Sequence, residues 1–139
     1  MTDIQDKWRV ALPWPPSKLS PNARTHWGQK AKEAKAYRRM CWSMARKVAM
    51  TEDWNLGRLW SLVDGGGTVH LWLDFYPPDR RARDDDNIIA AFKSGRDGIA
   101  DALGVDDARF RIHPMVRTGE PVKKGQVLVT ITAGPEGVE

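Results

Sequence analysis

Nine residues constrain this chain more than any others. Thr68 to Tyr76 reads T-V-H-L-W-L-D-F-Y, with Gly65-Gly66-Gly67 before it and Pro77-Pro78 after it. Strict alternation puts Val69, Leu71, Leu73 and Phe75 on one side, and His70, Trp72, Asp74 and Tyr76 on the other. A strand with one wholly apolar face must sit in a sheet covered on that face, and the prolines end its ladder. Three further strands are expected: Trp8 to Leu12, stopped by the prolines around Trp14, then Phe110 to Arg117 and Gln126 to Thr132.

Two helices are expected to cover that sheet. Between Gln29 and Met50, apolar residues recur at steps of three and four through Ala34, Tyr37, Cys41, Met44 or Ala45, and Val48. Lys and Arg fill much of the remaining circumference. A second helix is expected from about Asp85 to Leu103, with Gly104 just past its end. Thr51 to Gly67 reads as a variable connection, carrying Trp54 and Trp60, and the glycine triplet as a turn. The expectation is an α+β domain with a mixed sheet of about four strands and two main helices. The length of 139 residues suits one domain spanning 1–139, with 134–139 as a frayed tail.

The charges are unevenly placed. The net charge is +4, but Lys7 to Lys47 is basic with acid only at Glu33, while four acids fall between Asp79 and Asp86. A basic surface beside an acidic knot suits an enzyme that acts on a polyanion, although mixed solvated charge would look similar. The single cysteine, Cys41, excludes an intrachain disulfide, and no Cys/His spacing suits zinc. With no apolar signal core and no long apolar run, a cytoplasmic protein is expected.

Asp84-Asp85-Asp86-Asn87 opens the second helix, and Asp106-Asp107 follows its end. At about 100° per residue, Ile88, Phe92, Ile99 and Leu103 form the core stripe. Asp86 and Lys93, seven residues apart, lie nearly over each other on the opposite side, with small Ala90 between them. One aspartate here is an ordinary helix cap, and Asp106-Asp107 has an ordinary reading as a turn. Three adjacent carboxylates exceed what a cap needs, and their repulsion is relieved by a cation. Oxygen ligands of this kind favour Mg²⁺ or Mn²⁺.

These residues resemble the RusA-type crossover junction endodeoxyribonucleases. The resemblance runs from Leu12 to about Thr132. It rests on L-P-W-P-P-S at Leu12 to Ser17, P-D-R-R-A-R-D-D-D-N at Pro78 to Asn87, G-V-D-D-A at Gly104 to Ala108, and the basic turn and strand at Lys123 to Thr132. It implies a RusA-like fold and a homodimer that resolves four-way (Holliday) DNA junctions by paired, symmetric, metal-dependent nicks. Such nicks leave 5′-phosphate and 3′-hydroxyl ends and serve recombination and repair. It implies Asp84, Asp86 and Asp107 as metal ligands for Mg²⁺ (with Mn²⁺ able to substitute), with Asp106 as the neighbour that could exchange roles with Asp107. The family's lysine lies four residues after the second aspartate, which is Ala90 here, so Lys93, one turn on, is expected to replace it in the catalytic set.

DNA contacts are expected mainly to phosphates, from Lys18, Arg24, His26, Lys30 and Lys32 near the first helix and from Arg80, Arg81 and Arg83 beside the acids. The three arginines could instead neutralise the carboxylates. Trp14 and Trp27 could stack on exposed bases, but packing against the sheet is their more ordinary role. A lone His113 before Pro114 reads as structural. The alternative to an enzyme is a branched-DNA-binding protein without catalysis.

Overall fold

The computed structural model describes residues 7–134. Its sheet contains β1 (Trp8–Pro13), β2 (Thr68–Tyr76), β3 (Phe110–Val116) and β4 (Gln126–Gly134), in the order β1-β4-β2-β3. β4 pairs antiparallel with both β1 and β2, whereas β2 and β3 are parallel. Parallel neighbours need a crossover, and the acidic segment lies within it. Gly134, expected in a frayed tail, is buried as the last residue of β4, while 135–139 lie outside the described residues.

The two-helix layout expected for a RusA-like α+β fold is overturned, because the described residues contain four α-helices. α1 (Trp27–Thr51) is the long amphipathic helix, burying Tyr37, Cys41, Ala45 and Ala49. α2 (Leu56–Asp64) occupies the supposed connection. Asn55 caps it by accepting from the Arg58 N–H at 3.0 Å, and Leu59, Leu62 and Val63 supply its buried face. The second expected helix is two, α3 (Asp85–Ala91) and α4 (Lys93–Leu103), divided at Phe92.

The division at Phe92 has a packing cause. The Phe92 side chain is fully buried, edge-on to both Phe75 of β2 and Tyr37 of α1. Gly95 lies directly beneath its ring, where a Cβ would come within 2.4 Å of Phe92 Cε1. The Phe92 N–H bonds to Ile89 O at 3.2 Å, a tighter turn than the α-helical one, which seats the ring at the sheet.

The core lies between the helices and the β-face carrying Val69, Leu71, Leu73, Phe75, Val127, Val129 and Ile131. α1 and α4 approach closely at Gly98. On the opposite sheet face, His70 is only 3 % exposed. Its Nδ1 lies 2.9 Å from His113 Nε2, Trp72 stacks on the His113 ring, and the Trp72 indole N–H donates to Thr132 Oγ1. His113 therefore has a structural setting, in company with His70. Among the described residues no helix is long and apolar enough to cross a membrane.

Candidate functional site

Lys93, the first residue of α4, is where the sequence candidates converge. Its ammonium donates to Asp107 Oδ2 at 2.8 Å and to Asp97 Oδ1 at 2.7 Å. Asp97 sits one turn along α4, at the i,i+4 spacing that brings side chains together. Asp107 arrives from the far end of the helix. Gly104 closes α4 in the left-handed conformation, at φ 69°, a backbone geometry that suits glycine. After it, Val105 and Asp106 lead back along α4 to a single 3-10 turn, Asp107–Arg109. Asp106 caps that turn by accepting from the Ala108 N–H at 2.9 Å. The two neighbouring aspartates thus divide the work: Asp106 holds the backbone and Asp107 meets Lys93.

The electrostatics follow from these contacts. The Lys93 ammonium holds the Asp107 carboxyl below the usual carboxylate range. Lys93 is raised in turn, first by Asp107 and then by Asp97. One cation against two carboxylates leaves the cluster acidic.

At the start of α3, Asp84 Oδ1 accepts from the backbone N–H groups of Asp86 and Asn87, at 2.8 and 3.3 Å. Asp84 is therefore the helix cap. Asp85 and Asp86 follow in the first turn, both exposed. Beside them opens a cleft of about 260 Å³ between the proline-rich loop and α3, lined by Trp14, Pro16, Ser20, Asp84 and Asn87 among others. The donor chemistry of Asp84, Asp86 and Asp107 suits a hard divalent cation. Their arrangement does not gather them: among the described residues no three Asp, Glu, His or Cys side chains stand together as a ligand set.

The basic candidates have varied employment. Arg83 is tied into its own loop, with Nη1 donating to Asp79 O and Arg81 O, both at 3.0 Å, and Nη2 to Asp79 Oδ1 at 2.8 Å. Arg81 also pairs with Asp79, whose carboxyl these guanidinium and backbone contacts hold far below its usual range. The arginines beside the aspartates thus neutralise Asp79 and not the acidic run, while Arg80 is exposed. His26 caps α1, its Nδ1 accepting from the Gly28 N–H at 3.1 Å. Lys30 donates to Ser20 O at 3.2 Å and fixes the loop ahead of the helix. Lys18 pairs with Glu33 at 3.6 Å, and Arg24 and Lys32 are exposed. Trp14 packs edge-on against Phe75, but Trp27 is 78 % exposed, contrary to the ordinary expectation that it packs on the sheet.

Sequence reasoning passed over Asp97, although the spacing Lys93-x-x-x-Asp97 signals it. It also passed over Arg38, whose Nε and Nη2 grip Asp101 at 2.7 and 2.9 Å, joining α1 to α4 next to this cluster.

No known protein-family profile matches the sequence. The chain belongs to the same family as an uncharacterized protein of Xylella fastidiosa (strain Temecula1 / ATCC 700964), to which it is 43 % identical over 134 residues, covering 95 % of this chain and 80 % of that protein.

Proposed function

We propose that this chain is an endonuclease that resolves four-way DNA junctions by paired hydrolysis of phosphodiester bonds, working as a homodimer with Mg²⁺ or Mn²⁺ as cofactor. The sequence resemblance supplies the reaction. The observation that carries it is the meeting of Lys93 and Asp107, two residues picked out separately from the sequence, at 2.8 Å. An ammonium held between two carboxylates stays charged and fixed in place, ready to stabilise negative charge developing on a phosphoryl oxygen. The cluster, together with the run Asp84 to Asp86, is net negative. A phosphodiester approaching it needs further positive charge, which is the reason for including a divalent cation in this reading. Two equivalent sites match the approximate two-fold symmetry of a four-way junction.

A second reading, branched-DNA binding without catalysis, is favoured by one feature: Asp107 is engaged by Lys93 instead of being gathered with Asp84 and Asp86. One experiment separates the two. A labelled synthetic four-way junction and a linear duplex are incubated with the protein in Mg²⁺, Mn²⁺ or EDTA, alongside Asp86→Asn and Asp107→Asn. Paired nicks in the junction alone, requiring metal and lost in both variants, are the expected result. Tight junction binding with no cutting under any metal refutes the nuclease and leaves the binding protein.

A further inference from the structure

A second cleft, of about 500 Å³, opens on the outer side of α1 and is lined by Lys35, Arg38, Arg39, Trp42 and Asp101. Lys35, Arg39 and Trp42 are spaced i, i+4 and i+7, so they stack along one stripe of the helix. Arg38 reaches sideways to Asp101 of α4. Three cations therefore face one carboxylate, and among the described residues only Arg38 of the three is ion-paired. Trp42 is 42 % exposed in the same cleft and makes no ring contact with another aromatic among the described residues. A solvent-facing indole at the end of a row of unpaired cations suits a ligand with repeated negative charges and flat apolar faces. The cleft also lies one helical turn from the Lys93 cluster, because Asp101 in its lining follows Asp97, which holds Lys93, by four residues on α4.

We propose that this cleft holds an unpaired DNA strand, with its phosphates on Lys35 and Arg39 and one base stacked on Trp42, leading toward Lys93. The choice of DNA as the polyanion rests on the nuclease reading above. The preference for an unpaired strand rests on Trp42: a duplex offers phosphates to the cations but keeps its base faces covered, whereas single strands give every base a stacking face.

The test is fluorescence anisotropy with a short labelled oligothymidine, run in EDTA so that hydrolysis plays no part. Trp42→Ala is expected to weaken binding roughly 5- to 150-fold, the range for loss of one base–aromatic stack. It should leave binding of an abasic strand of equal length unchanged, and Trp42→Phe should retain most of the affinity. The Lys35→Gln, Arg39→Gln double variant should reduce the slope of log affinity against log salt by about 1.4, at ~0.7 per phosphate contact on a single strand. Equal losses on normal and abasic strands, or no loss with Trp42→Ala, overturn the proposal. So does tighter binding of blunt duplex than of single strand, or displacement of the oligonucleotide by an acidic peptide at equal charge. The junction-cleavage assay keeps the two ideas apart. Cleavage with Trp42-independent binding sinks the strand cleft alone, whereas Trp42-dependent binding without cleavage sinks the nuclease alone.

Discussion

Replacing Gly98 by alanine sets two physical effects against each other. Gly98 lies within α4, where alanine is intrinsically better by about 1 kcal/mol. Against that, a Cβ at Gly98 would sit 2.5 Å from Arg38 O, and 3.0 Å from both Cys41 Cβ and the Trp42 backbone nitrogen. Two of these three neighbours are α1 backbone atoms, and the third is the first carbon of a fully buried residue. No flexible side chain can turn aside, so α1 and α4 must separate by roughly 0.5–1 Å to restore ordinary contacts. Overpacking of this kind costs about 1–3 kcal/mol, and a rigid site belongs at the upper end. The net expectation is a destabilisation of about 1–2 kcal/mol, and a melting temperature lower by roughly 3–10 °C for a domain of this size.

Gly57 is the internal control. It also lies in a helix, but the nearest atom to its Cβ position is Asn55 Oδ1 at 3.6 Å. Gly57→Ala should therefore stabilise, by about 0.5 kcal/mol. Urea and thermal unfolding of the two variants and the parent protein measure both signs. A Gly98→Ala protein as stable as the parent would show that α1 and α4 do not meet there, and the placement of Arg38 beside the Lys93 cluster would fall with it.

Lys93→Met should abolish junction cleavage while leaving a folded protein, and carboxyl NMR should find Asp107 titrating at a higher pH once its cation is gone. Because the Asp107 pKa is lowered by folding, its stabilising contribution is present above the ordinary carboxylate value of ~3.9 and lost as pH falls through the lowered one. Because the Lys93 pKa is raised, its contribution is present below ~10.4 and lost as pH rises through the raised value. The urea midpoints of parent and variant should thus differ most between about pH 4 and pH 10 and converge in acid; a gap that persists in strong acid would show that the pair is not its source. Cys41, the single cysteine, is fully buried, and burial pushes its thiol up to about 12. It should resist a thiol reagent at pH 8 in the native protein and react once per chain in urea; rapid native reaction would contradict the packing of α1.

β1, β2 and β4 were legible because each alternates apolar and polar positions, whereas β3, at the sheet edge, alternates poorly and holds Pro114 within it. The helices were less so, for two different reasons. α2 is short, and its stripe of Leu59, Leu62 and Val63 lies between Gly57 and the glycine triplet, so local composition hid a periodicity that tertiary burial completes. The division at Phe92 is marked locally only by Gly95, which leaves room for the ring. It comes from the fit of one ring between Phe75 and Tyr37, which are distant in sequence. The candidate site divides in the same way. The seven-residue spacing of Asp86 and Lys93 is a property of helix geometry, whereas the contact of Lys93 with Asp107 depends on the turn beyond Gly104 returning along α4.

That difference bears on how the acids are used. Asp84 holds the start of α3, Asp106 holds the 3-10 turn, and Asp107 is paired with Lys93, so three of the acidic candidates have folding work in the chain as it stands. Asp86 is the exception, since its carboxylate has no partner among the described residues and points from an exposed first turn. Asp84 spends only one oxygen on its cap, bonding two N–H groups through Oδ1. A carboxylate can cap through one oxygen and bind through the other, so capping at Asp84 does not compete with chemistry there. Pairing at Asp107 does compete, because a metal cation bound there would share the carboxylate with the Lys93 ammonium, and the two like charges repel. Asp86→Asn should therefore affect activity with little effect on stability, while Asp107→Asn should affect both, and that contrast distinguishes an acid kept for chemistry from one shared with the fold.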